Sequence, residues 1–106
     1  MKVSRIHIFV DALRMIGSPS RVCFMLSQNG SSLLLVPYLK RDFKSHSVPE
    51  KVYNGLAPMD VHSLKLCQII AKIHGWDIGR SYRVPGSVWQ DQEVVIFDLL
   101  NAWKIG

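Results

Sequence analysis

Between Arg21 and Leu39 two apolar runs flank a polar turn. Val22 to Leu26 comes first, then Ser27-Gln28-Asn29-Gly30-Ser31-Ser32, then Leu33 to Val36. Asn-Gly between alternating apolar segments is a strong local hairpin signal, since both residues tolerate the positive φ of a type I′ turn. A two-residue turn sets the register: Leu26 faces Leu33, Phe24 faces Leu35 and Cys23 faces Val36. Side chains alternate between the faces of a strand, so Val22, Phe24, Leu26, Leu33 and Leu35 share one side. Cys23, Met25, Leu34 and Val36 share the other. Both faces are apolar, and each needs a cover. Pro37 would sit opposite Val22 in a hydrogen-bonded pair without an N–H to give. Regular pairing is therefore expected to stop near Val36, to bulge there, or to leave Pro37 on an open edge.

The other patterns are less local. Val3–Val10 alternates as a strand, and 11–16 fits strand or helix equally before Gly17-Ser18-Pro19-Ser20 breaks it. With the hairpin this makes one three-stranded antiparallel sheet. Ser47-Val48-Pro49-Glu50 resembles a capping box for a short helix over 48–54, stopped by Asn54-Gly55. From Pro58 to His74 a helical stripe of Met59, Leu66, Ile69, Ile70 and Ile73 predicts an amphipathic helix ended by Gly75. Trp76 to Val84 reads as extended. Ser87 to Gln90 offers a second capping box, and Val88, Trp89, Val95, Ile96, Leu99, Leu100 and Trp103 predict a helix over about 88–103. The alternative reading of Val94-Val95-Ile96-Phe97 is a strand. The expectation is a single α+β domain over 1–106. Its three-stranded sheet is built on the central hairpin (21–36) and packed with helices at about 58–74 and 88–103.

Composition adds bounds. The chain has 106 residues, 48% hydrophobic and 20% charged, which reads as globular. No apolar run approaches the roughly 20 residues of a membrane span, and Arg5 and Asp11 interrupt the start too early for a secretory leader. A cytoplasmic location is the expectation, with Cys23 and Cys67 as buried free thiols; a disulfide between them stays open. The net charge is +5 and uneven: residues 1–44 carry +5, residues 45–86 carry +2 and residues 87–106 carry −2. Such a balance permits contact with nucleic acid or an acidic protein.

Candidate chemistry is sparse. There is no Gly-rich phosphate loop, G-x-S-x-G or H-E-x-x-H. No catalytic residue, cofactor or metal site is therefore assigned. His62 and His74 are twelve residues apart, about 18 Å on one straight helix, too far to share an ion. The basic segment 38–46 interleaves aromatics with cations: Lys40, Arg41 and Lys44 suit phosphates, and Tyr38 and Phe43 suit stacked bases. Arg80 and Arg83 beside Tyr82 repeat the pattern. The leading expectation is a non-enzymatic binding protein acting as a homo-oligomer, most simply a dimer over the second sheet face. Nucleic-acid binding through Tyr38, Lys40, Arg41, Lys44, Arg80 and Arg83 is the first alternative. The second is a small enzyme or ligand binder with a pocket near His62.

Overall fold

The computed structural model describes residues 5–38, 40, 45–77, 80–89, 91 and 93–105. In chain order these form β1 (Arg5–Ile8), α1 (Val10–Met15), β2 (Arg21–Leu26), β3 (Ser32–Pro37), β4 (Ser45–Ser47) and α2 (Glu50–Tyr53). Then come β5 (Met59–His62), α3 (Leu64–His74), β6 (Ser81–Arg83), β7 (Gly86–Trp89), β8 (Val94–Asp98), a 3-10 turn (Leu99–Asn101) and β9 (Trp103–Ile105). The class is α+β. The main sheet has five strands rather than three, in the order β4-β2-β3-β8-β7, with two separate ribbons, β1-β5 and β6-β9. The expected strand over Val3–Val10 is present as β1, but it joins β5 and not the hairpin. Residues 11–16 resolve as helix: α1 occupies Val10–Met15.

The hairpin lies at the centre of the main sheet, and its register is the expected one, Leu26↔Leu33 through Val22↔Pro37. The turn that makes it differs. Gly30 has φ +75° while Asn29 keeps a negative φ, and the Gly30 N–H donates to the Ser27 carbonyl. The Asn29 side-chain oxygen fills the loop, accepting from the Ser31 N–H at 3.0 Å and from the hydroxyls of Ser27 and Ser31. Closure falls on Ser27 and Ser32, whose N–H and carbonyl meet at 2.8 Å. Hydrogen-bonded pairs in an antiparallel ladder alternate. Counting from Ser27–Ser32 puts bonds at Arg21–Tyr38, where the Tyr38 N–H donates to the Arg21 carbonyl. Val22–Pro37 is then a non-bonded pair, and the N–H that proline lacks is not needed by β2. The strand therefore runs through Pro37 without a break.

The two expected helices are the main corrections. The span 58–74 splits: Met59–His62 is β5, paired with β1, and only Leu64–His74 is helical. Its buried stripe is Cys67, Ile70 and Ala71, and Gly75 closes it at φ +65°. Ile69 and Ile73, expected on the buried side, are exposed. The helix over 88–103 does not form. Gly86–Trp89 and Val94–Asp98 make a hairpin, and β8 completes the open edge of β3. A continuous apolar run carries no period of its own, so helix and strand fit it equally until a partner strand decides. Val94 to Phe97 is β-branched and aromatic, which suits a strand flanked on both sides. Neither capping box caps a helix: α2 starts after Pro49 without a side-chain cap, and Ser47 and Ser87 lie in strands.

The core sits on one side of this sheet. Val22, Leu33, Leu35 and Val95 point inward against Ile6, Ile8, Met59 and Val61 of the β1-β5 ribbon. Leu13 and Ile16 beside α1, Val52 of α2 and Cys67 and Ile70 of α3 complete it. Cys23 and Cys67 are free and buried. His74 ties α3 to the hairpin, its Nε2–H donating to the Gly30 carbonyl at 2.7 Å.

Candidate functional site: the outer face of the main sheet

Strand alternation places Arg21, Cys23 and Met25 of β2 on the side away from the core. Cross-strand pairing carries this face through Leu34 and Val36 of β3, Val94 and Ile96 of β8, and Ser87 and Trp89 of β7. Met25 is 55% exposed and Trp89 54%, where an inward residue such as Leu35 is at 0%. Leu34, Val36, Val94 and Ile96 are half-buried. Cys23 and Ser45, at the β4 end, are covered. An open groove of about 570 Å³ runs along the other end, between Trp89, Ile96 and the exposed Leu100, with Ser32, Ser87 and Asp98 as its polar wall.

Among the described strand residues, charge on this face is confined to two corners. Arg21 stands at one end of β2, its Nε and Nη2 donating to the Ser45 hydroxyl at 2.9 and 2.7 Å. Asp98 stands at the opposite end of β8, accepting from the Leu100 N–H and the Asn101 amide. Met25, Leu34, Val36, Val94, Ile96 and Trp89 lie between, with Ser32 and Ser87 beside them. Contiguous apolar surface of this kind marks a contact site more often than isolated exposed residues do.

No family model, curated protein or solved structure matches this chain. Geometry therefore carries the functional reading.

The residues singled out for polyanion binding lie only partly within the described residues. Tyr38 follows β3, and Lys40 is exposed; Arg41, Phe43 and Lys44 lie outside the described residues. Arg80 faces Asp77 at 3.8 Å, and the Arg83 guanidinium lies over the Phe9 ring. His62 is exposed on β5 opposite Arg5, not on the helix that carries His74. Among the described residues no three His, Cys, Asp or Glu converge as metal ligands. Burial holds the Cys67 thiol above its ordinary pKa, which keeps it protonated. No helix among the described residues is long and apolar enough to cross a membrane.

Trp89 and Ile96 were legible as apolar positions, but on a helix stripe. Val94, Val95, Ile96 and Phe97 are all apolar, so nothing in the run separates outer from inner positions until β8 is a strand.

One titrating group lies on the opposite, inner side of the sheet, at its β4 edge. His46 on β4 pairs across to Val22, and its ring lies 5.8 Å from Phe24. Burial, and then the Arg21 charge, lower its pKa below the ordinary 6.5. Above about pH 6.5 the imidazole is neutral folded or unfolded, so it makes stability independent of pH there. As pH falls below that, the unfolded chain takes up a proton that the folded chain refuses. Stability is then lost down to the depressed folded value. His46→Gln, which cannot titrate, is expected to lose less stability between about pH 6.5 and 5 than the unchanged protein. Urea midpoints across that range check it; parallel curves would show that His46 contributes nothing.

Proposed function

We propose that this chain is a non-enzymatic interaction protein that works as a homodimer, closed through the outer face of its main sheet. One observation carries the reading: the sheet is packed on its inner side and leaves Met25 and Trp89 open on its outer side. Strands of three to six residues, rising about 3.4 Å per residue and spaced about 4.8 Å, give a flat footprint of roughly 400 Å². That is about half of the roughly 800 Å² per partner of a standard interface, so side-chain relief and the flanking Leu100 must add to it. A second copy is the occupant that fits the charges. Arg21 and Asp98 lie at diagonal corners, so a two-fold axis in the interface plane can set each Arg21 against the partner's Asp98. Isologous contacts of this kind are self-complementary by symmetry. Sheet-on-sheet packing then buries Met25, Leu34 and Ile96 at the centre and Trp89 at the β7 edge, as in a sandwich core.

Sedimentation equilibrium tests the proposal. The unchanged chain is expected near twice its 12.1 kDa at about 10 μM. Met25→Glu places a carboxylate at the centre of the interface, once from each copy. It is expected to weaken the dimer about 100-fold or more. Leu56→Glu, at a residue 76% exposed and outside the face, is expected to leave the dimer intact. A wild-type monomer at about 100 μM, or a Met25→Glu protein that dimerises as before, overturns the reading. Retention on a polyanion column that weakens steeply between about 50 and 200 mM salt would favour the nucleic-acid alternative instead.

A further inference from the structure

On the inner side, where the main sheet meets the β1-β5 and β6-β9 ribbons, a second cavity of about 210 Å³ opens to the surface. Its floor is apolar and closed: Ile6, Ile8, Leu33 and Leu99 are each at most 6% exposed. Its mouth is different. Phe9, Tyr82 and Arg83 stand there, with Phe9 62% exposed.

The mouth is held in shape. The Tyr82 ring stacks on Trp76 with centroids 4.3 Å apart and planes 11° from parallel, and its hydroxyl oxygen accepts from the Asp77 N–H at 2.8 Å. Side chains fixed by their neighbours form a pre-organised wall, which lowers the ordering cost of binding. The two basic side chains at the mouth, His7 and Arg83, are not equivalent. His7 is engaged, its Nδ1 lying 2.8 Å from the Asp60 carboxylate. The Arg83 guanidinium lies with its Cζ 5.9 Å from the centre of the Phe9 ring and makes no ion pair among the described residues.

We propose that this cavity binds a small monoanionic carboxylate with an unbranched apolar body, the body on the Ile6-Ile8-Leu33-Leu99 floor and the carboxylate on Arg83. Size sets the body. Taking about 30 Å³ for each water's share of volume, the cavity matches roughly seven waters, hence a ligand of about seven to ten non-hydrogen atoms. Charge sets the head. One cation stands uncommitted, and Arg pairs with a carboxylate in a two-point geometry that an alcohol cannot reproduce. An apolar pocket with a few placed polar groups is the usual form of a small-molecule site.

Octanoate, with octan-1-ol as its neutral counterpart, tests the proposal by isothermal titration on the full chain. Octanoate is expected to bind with a Kd of about 100 μM, and octan-1-ol about tenfold more weakly. Arg83→Gln is expected to weaken octanoate about tenfold and to change octan-1-ol by less than about twofold. Ala12→Phe, which places a ring in the cavity, is expected to abolish both; if that variant does not fold, Arg83→Gln decides alone. Equal affinity for the two probes, or unchanged octanoate binding by Arg83→Gln, overturns the proposal. The cavity is on the opposite side of the sheet from the proposed dimer face. Octanoate is therefore expected to bind Met25→Glu as well as the unchanged protein, and the two proposals can fail separately.

Discussion

Leu35→Ala is expected to destabilise the protein by about 3–4 kcal/mol, the largest loss from any single truncation of the hairpin. Leu35 is 0% exposed on the central strand of the main sheet, facing Phe24 on β2 and Val95 on β8. Leucine-to-alanine changes span about 2–5 kcal/mol, and the cost rises with how little the surroundings can collapse into the space left. Here both neighbouring strands are held by their own ladders, and the β1-β5 ribbon closes the core in front of them. The upper half of that range follows. A domain of this length has about 5–15 kcal/mol in total, so the change consumes a large share and lowers Tm by about 15 °C or more. Leu56→Ala, at a residue 76% exposed, is expected to stay within about 0.5 kcal/mol. Thermal and urea unfolding measure both. A loss under about 1 kcal/mol at Leu35 would mean that the hairpin is not at the centre of the core.

Gly30→Val is expected to cost about 3 kcal/mol, and two causes separate. Gly30 sits at φ +75°, where a β-branched residue is strained by about 1–3 kcal/mol. A Cβ there would also stand 3.0 Å from Cγ2 and 3.1 Å from Cδ1 of Ile73. Ile73 is half exposed and can move, so overlap alone adds about 1 kcal/mol. The rest of the cost comes from the joint between hairpin and α3, since displacing Gly30 pulls its carbonyl away from His74. Gly55 is the comparison: it shares φ +75° but has nothing within 4 Å of an added Cβ. Gly55→Ala is expected to cost about 1 kcal/mol from backbone strain alone. If Gly30→Val proves no worse than Gly55→Ala, the contact with α3 contributes nothing to stability.

Both residues belong to the stretch whose pattern was most legible. The hairpin's register follows from local facts: alternating apolar residues, a polar turn and a glycine able to take positive φ. Period-two side-chain geometry makes a one-residue slip expensive, because it moves every apolar side chain to the wrong face. Gly75 ended α3 for an equally local reason. The hydrogen-bond phase of the hairpin was equally local but not legible. It depended on whether Asn29 took positive φ or used its side chain to close a longer loop, and those options differ too little for composition to choose between them.

The partition of the rest was settled in three dimensions. Met59–His62 carries a helical stripe as well as an extended one, and β1 needed a partner strand, so the segment paired. Val94–Phe97 is apolar throughout, and the open edge of β3 chose strand over helix by offering unpaired backbone groups. The two candidate sites divide along the same line. That the hairpin has two apolar faces, each needing a cover, could be read from Cys23, Met25, Leu34 and Val36 in order. The extension of the outer face through Ile96 and Trp89 could not. Nor could the meeting of Phe9, Tyr82 and Arg83 with Ile6 and Leu33 around one cavity. The sequence alone determined which residues alternate and where the chain turns, because those depend on neighbours along the backbone. Which strand lies beside which, and so which side chains share a face or a cavity, depended on contacts between distant segments that no local pattern encodes.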